Sequence, residues 1–214
     1  MGTDLEYFSQ QLKDRLQRGL PGEPTHRKMM ARPHDRDRFD FQLSKNARKS
    51  SVLILLYPSD NHIHLPLIVR PRYDGAHSGQ VAFPGGRMEK EDKDLTDTAL
   101  RESEEEIGIK KQDIQVLGQL TELFIPVSNY LVTPIIGYTN FSQQFVREKR
   151  EVDKILEVPL PSLLDDGIVK EKEMTVRGFR IRAPYYDING ETVWGATAMI
   201  LSEFLDIVKD INEN

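Results

Sequence analysis

The stretch LTDTALRESEEEIGI, residues 95–109, reads as a helix that carries its acids at the wrong end. Asp94 stands before it as a cap and Gly108 after it as a left-handed stop, so a helix is expected over Leu95–Ile107. At about 100° per residue, Leu95, Ala99, Leu100, Ser103 and Ile107 make one stripe for burial. Glu102 and Glu106 fall at about −20° and about +20°, on the border of that stripe, whereas Glu105 lies near about −80° and Glu104 on the opposite side. The last turn of a helix favours cations, each terminal charge being worth about 0.3–1 kcal/mol, and like charges four residues apart cost a few tenths more. Glu102 and Glu106 break both rules on one face. A bound divalent cation turns that penalty into attraction.

The donor chemistry narrows the ion. The chain has no cysteine, which excludes disulfides, thiolate zinc sites and a cysteine nucleophile. Carboxylates without histidine at ligand spacing select magnesium, manganese or calcium over zinc. Magnesium held by a couple of carboxylates completes its shell with water and substrate phosphates, which points to phosphate chemistry. Arg101 lies one turn before Glu105 and is placed to pair with it. Upstream, FPGGRMEKEDKD sets Gly85 and Gly86 directly after a strand-like QVAF, where a glycine pair lets the backbone approach a metal and phosphates closely.

Outside this segment the chain alternates strands with a few helices. SVLILLYP and HIHLPLIV flank a turn at residues 59–61 as neighbouring strands, with His62 and His64 read as alternating on a half-exposed strand. Residues 114–139 are strands punctuated by Gly118, Pro126, Pro134 and Gly137, KILEVPLPSLLDD is a strand running into a short helix, and Asn189-Gly190 marks a hairpin. A closing helix is expected over residues 196–211. Leu5, Phe8, Leu12 and Leu16 form a peripheral amphipathic helix. Residues 20–46 read as an irregular connector in which His26 and His34 are ordinary polar residues. The expectation is an α/β (α+β) layered fold, with an extension over residues 1–45 and a catalytic domain over 46–211.

Composition limits the partners. In 214 residues, 38% hydrophobic and 29% charged with net charge −5, there is no long uncharged apolar run and no global pull toward nucleic acid. No membrane and no nucleic-acid partner are expected, and the charged first twenty residues argue for a cytoplasmic protein.

Gly86, five residues, Asp92, eight residues, then RESEEEIGI over 101–109 resembles the Nudix box, the glycine-to-REXXEEXGU signature of Nudix hydrolases. Asp92 stands where glutamate is usual, the gap to the arginine is one residue longer, and Ser103 fills a normally apolar slot. The first two departures are similar to the coenzyme A pyrophosphatase branch. So is LIVRPRYDGAHSGQVAFPGG, residues 67–86, in which Arg70, His77, Gly79, Gln80 and Phe83 to Gly86 match that branch and Pro71 replaces the usual serine. The resemblance covers about residues 45–205. It implies a Nudix fold, a mixed sheet sandwiched between helices, and Mg2+- or Mn2+-dependent cleavage of coenzyme A or its derivatives to 3',5'-ADP and 4'-phosphopantetheine. Hydrolysis of ADP-ribose or a dinucleotide is the enzymatic alternative within the fold; a ligand-sensing module that uses the same fold without turnover and a calcium-stabilised scaffold are the alternatives from other classes. On this basis Glu102 and Glu106 are the expected metal ligands, supported by Gly86. Glu105, held by Arg101, is the expected base, with Glu102 or Glu151 in the segment REVDK as alternatives. Arg70, Arg72 and His77 are expected to meet the phosphates of a small nucleoside diphosphate, a 3'-phosphate included. A homodimer is common in the family resembled.

Overall fold

The computed structural model describes residues 5–33, 46–72, 77–176 and 178–213. Their elements in chain order are α1 (Leu5–Leu16), α2 (Glu23–Lys28), β1 (Arg32–Pro33), β2 (Arg48–Ser59), β3 (His62–Val69), β4 (Val81–Ala82), β5 (Gly85–Arg87), α3 (Leu95–Ile107), β6 (Gln115–Gln119), β7 (Leu123–Ile125), β8 (Tyr130–Tyr138), β9 (Lys154–Pro159), α4 (Leu160–Leu163), β10 (Val169–Val176), β11 (Phe179–Ile188), β12 (Glu191–Trp194) and α5 (Gly195–Asn212).

Strand β2 organises the larger sheet. It pairs parallel with β8 over Arg48–Leu56 and antiparallel with β5 and with the start of β3, while β6 and β7 add to β8 and β4 and β9 add to β3. Side chains of a strand alternate between faces, and both faces of β2 are covered. Leu53 and Leu55 join Ala99 and Ile107 of α3, whereas Ile54 and Leu56 join Phe204 of α5 and Phe8 and Leu12 of α1. A strand buried on both sides reads as an unbroken apolar run, which is the physical reason for SVLILLYP. Each such leucine or isoleucine contributes roughly 1.5–3 kcal/mol. The architecture is the mixed sheet between helices that the sequence predicts. The turn after β2 has Asp60 and Asn61 at φ 46° and 62°, and Asn189 and Gly190 at φ 53° and 81° close the β11–β12 hairpin, both in the left-handed region that two-residue hairpin loops require.

Four local expectations change. His64 is buried rather than half-exposed, because β3 is enclosed almost throughout. Strand β10, whose apolar alternation is confined to Met174 and Val176 and which the sequence reading leaves unassigned, pairs with β11 along its full length in a second sheet completed by β1 and β12. Helix α1 is not peripheral: Leu5, Phe8 and Leu12 belong to the main core. Between residues 20 and 33 the expected connector holds α2 and β1, and His26 is 3% exposed, with Nε2 2.9 Å from Glu203. Glu203, fully buried on α5, also accepts from the Gly22 N–H (3.0 Å) and the Thr121 hydroxyl (2.7 Å). One carboxylate thereby ties the N-terminal segment and the β6–β7 connection to α5. Residues 34–45, His34 among them, lie outside the described residues.

Candidate metal and active site

Helix α3 begins and ends where its sequence dictates. The Asp94 side chain accepts from the Asp97 N–H at 2.8 Å, and Gly108 at φ 76° turns the chain out of the helix. The carbonyls left at its C-terminus are covered by a later loop: the Val146 N–H donates to Ile107 (3.0 Å) and the Glu148 N–H to Glu106 (2.9 Å). Backbone donors from this loop do there what last-turn lysines do elsewhere.

Buried positions on α3 are Thr98, Ala99, Ser103, Glu106 and Ile107. Ser103 is small enough to sit at the centre of the interface, its hydroxyl donating back to the Ala99 carbonyl at 2.7 Å. Glu106 is only 2% exposed, and its Oε2 accepts the Gly85 N–H at 2.8 Å. The glycine pair exists for this approach. Gly85 has φ 151°, and a Cβ there would overlap the Ser51 carbonyl oxygen; a Cβ on Gly86 would overlap the Glu102 carboxylate.

Carboxylate oxygens of Glu102, Glu106 and Glu151 all lie within 4.8 Å of one another. The loop that covers the end of α3 supplies Glu151, and Val152, fully buried, anchors it there. Burial pushes the Glu106 carboxyl up to about 7, the fields of Glu102 and Glu151 add to this, and Arg70 and the Gly85 N–H oppose it. Burial also raises Glu102, Arg101 pulling the other way. Three converging oxygen donors, one enclosed and all mutually repulsive when ionised, fit a hard divalent cation.

Arg101 has more partners than its expected pairing with Glu105. Its Nε and Nη2 donate to the two oxygens of buried Asp92 (2.8 and 3.0 Å), Nη1 lies 3.0 Å from Glu102 and 3.1 Å from Glu105, and Nη2 also reaches the Arg87 carbonyl. Asp92 further accepts from Thr98 (2.9 Å) and the Glu89 N–H (2.8 Å), and Arg101 holds its carboxyl well below the usual aspartate range. Arg101 thus clamps the segment after Gly86 onto α3 while it orients two glutamates. Glu105 is outside the carboxylate cluster, with its side chain 57% exposed.

The residues expected at the phosphates form one loop system. Arg70 donates from its backbone to the Gln80 carbonyl (3.0 Å) and from Nη2 to the Gly85 carbonyl (3.3 Å), which sets its guanidinium near Glu106. His77 is held by Gln80, Nδ1 to Oε1 at 3.0 Å, and Arg72 is exposed. Asp92 and the backbone of residues 146–148 are the participants that sequence reasoning did not assign. Aspartate spacing marks the first; the second has no sequence signal, because any residue but proline supplies an N–H.

A mixed sheet between helices, with a glycine pair aimed at an acidic helix, defines a class of metal-dependent hydrolases. The NUDIX domain family model matches residues 47–173, more than half of the chain, and the chain therefore belongs to the Nudix hydrolase family. A protein of Photorhabdus laumondii described as an uncharacterized Nudix hydrolase, NudL, is 38% identical over 165 residues, 71% of this chain and 88% of its own length. Its namesake in Pectobacterium atrosepticum is 35% identical over 136 residues, 63% of this chain and 69% of its own. Among solved structures, the Nudix hydrolase RenU of M. smegmatis superposes with a TM-score of 0.55 at 14% identity, over 77% of this chain and 88% of that one, which shows the fold. The protein is accordingly a hydrolase of the pyrophosphatase type that acts on small nucleotide-like substrates. Among the described residues, no helix is long and apolar enough to cross a membrane.

Proposed function

We propose that this enzyme hydrolyses the diphosphate of coenzyme A or its derivatives to 3',5'-ADP and 4'-phosphopantetheine, with Mg2+ or Mn2+ held by Glu102, Glu106 and Glu151. The observation that carries the reaction type is the convergence of those three carboxylates beside Gly85 and Gly86. What supports the substrate is the likeness of residues 67–86 to the coenzyme A branch.

A divalent cation bound there supplies charge neutralisation of the diphosphate and a lowered pKa for water. The chain's own groups do the rest. Arg70, lying between Gly85 and Gln80, faces the diphosphate oxygens, and Arg72 and His77 flank it. Glu105, hydrogen-bonded to Arg101, accepts the proton from the attacking water. Arg101 is a positioning residue for Glu102 and Glu105, and Asp92 fixes Arg101.

Mass-spectrometric product analysis with coenzyme A, ADP-ribose and NADH in parallel, with and without Mg2+, tests this. Mg2+-dependent release of 3',5'-ADP from coenzyme A is the expected result. Turnover of ADP-ribose or NADH alone overturns the substrate assignment, and binding without turnover of any of the three identifies a sensor. Glu105→Gln lowers kcat and keeps Mn2+ affinity, whereas Glu151→Gln weakens Mn2+ binding; the opposite pattern exchanges the two roles.

A further inference from the structure

A second concavity, of about 470 Å³, lies between the second sheet and the phosphate loop. One wall is residues 78–81 of that loop; the other is Lys172, Met174 and Val176 of β10 with Glu191, Thr192 and Trp194 of β12. Cavities of this size, apolar in part with a few placed polar groups, are the ordinary form of a small-molecule site.

Three observations say what it takes. Lys172 is half-buried, donates to the Thr192 hydroxyl at 2.8 Å and lies over the Tyr185 ring at 4.9 Å, and the Asp187 carboxylate, which accepts from Lys170, lies within its field. A held ammonium with donors to spare seeks an anion. Trp194, Met174 and Val176 are half-buried beside it and offer an aromatic face and apolar surface to a planar base. Helix α5 starts directly after Trp194 without a side-chain cap, which adds the positive end of a helix dipole to this wall.

The concavity lies near the carboxylate centre along the chain. Val81, on its rim, is four residues from Gly85, at most about 14 Å of chain, and Gln80 is bonded to the Arg70 backbone. On the other side Glu191 pairs with Lys154 at 3.5 Å, and Lys154 is three residues from Glu151, at most about 10 Å of chain.

We propose that this groove seats the nucleotide half of the substrate, with the base against Trp194 and a phosphate monoester on the ribose against Lys172. The assignment rests on the coenzyme A reading, since coenzyme A carries such a 3'-phosphate and dephospho-coenzyme A lacks it. Selectivity for the phosphorylated cofactor then resides in β10, about one hundred residues away in sequence from the arginines of the phosphate loop.

The test compares kcat/KM for coenzyme A and dephospho-coenzyme A in wild type, Lys172→Gln and Lys172→Arg, together with calorimetric binding of 3',5'-ADP and 5'-AMP. Loss of a charge-assisted contact at a half-buried site predicts that the ratio of the two kcat/KM values falls about tenfold in Lys172→Gln, chiefly through KM, and recovers in Lys172→Arg. Trp194→Ala weakens both nucleotides by about tenfold. A ratio unchanged in a folded Lys172→Gln overturns the groove assignment and leaves the coenzyme A reading standing. If wild type cleaves neither substrate, that reading has failed, and calorimetry decides the groove alone: a preference for 3',5'-ADP over 5'-AMP that disappears in Lys172→Gln upholds it, and equal binding overturns it.

Discussion

Replacing Glu106 by glutamine should stabilise the metal-free protein and abolish its response to metal. The carboxyl is 2% exposed, and burial raises it from an ordinary value of 4.5 to about 7. A carboxyl whose pKa is raised by folding is neutral in both states below 4.5. Its penalty grows as the pH rises through 7 and is complete above that. A gap of about 2.5 pH units corresponds to roughly 3 kcal/mol of stability missing at pH 8.5. Glutamine keeps an oxygen for the Gly85 N–H and carries no charge, so Glu106→Gln removes this penalty. Urea denaturation in EDTA should place the variant about 2–3 kcal/mol above wild type at pH 8.5 and level with it at pH 4.5; titrations remote from the carboxylate cluster cancel in the difference. With Mn2+ at a hundred times its dissociation constant, wild type gains about 2.7 kcal/mol and the variant little, so the order closes or reverses. A variant no more stable than wild type at pH 8.5 in EDTA, with Mn2+ raising both equally, would refute Glu106 as a strained ligand.

Gly86→Ala places a Cβ on the Glu102 carboxylate and should cut kcat about 100-fold and weaken Mn2+ binding, both measurable on protein whose circular dichroism is unchanged. Asp92→Ala leaves Arg101 without its bidentate partner in a mostly buried setting and should cost about 3–5 kcal/mol in urea denaturation at pH 7, with activity lowered as the segment after Gly86 loosens. Leu12→Ala, on α1 and fully buried, should cost about 2–5 kcal/mol while leaving Mn2+ affinity of the folded protein intact; a cost under 0.5 kcal/mol would return α1 to the periphery.

The bounds of helix α3 were legible, because a cap at Asp94 and a stop at Gly108 are local properties; of the expected stripe Ala99, Ser103 and Ile107 are buried, whereas Leu95 and Leu100 are half-buried and Thr98 and Glu106 take their place. The glycine pair and its distance to the acids were legible for a similar reason: a strand, a tight backbone approach and a helix must follow each other in one continuous segment. β2 was visible as an apolar run, but which residues face α3 and which face α5 depends on there being two covering layers. Sequence placed His26 and α1 outside the core. Their burial depends on Glu203 and Leu201 of α5, roughly 180–195 residues later, and local polarity cannot report a partner so distant.

The amino-acid sequence alone determined the candidate donors: oxygen-only side chains, their helical phase and the glycines that let a backbone reach them. Tertiary structure decided the third carboxylate, the partner of Arg101 and the loop that covers the end of α3. It also put β10 opposite residues 78–81. Helical phase and turn conformation follow from torsions within a few residues, whereas the meeting of Glu151 with Glu102 follows from how separate layers pack, and packing is a property of the whole core.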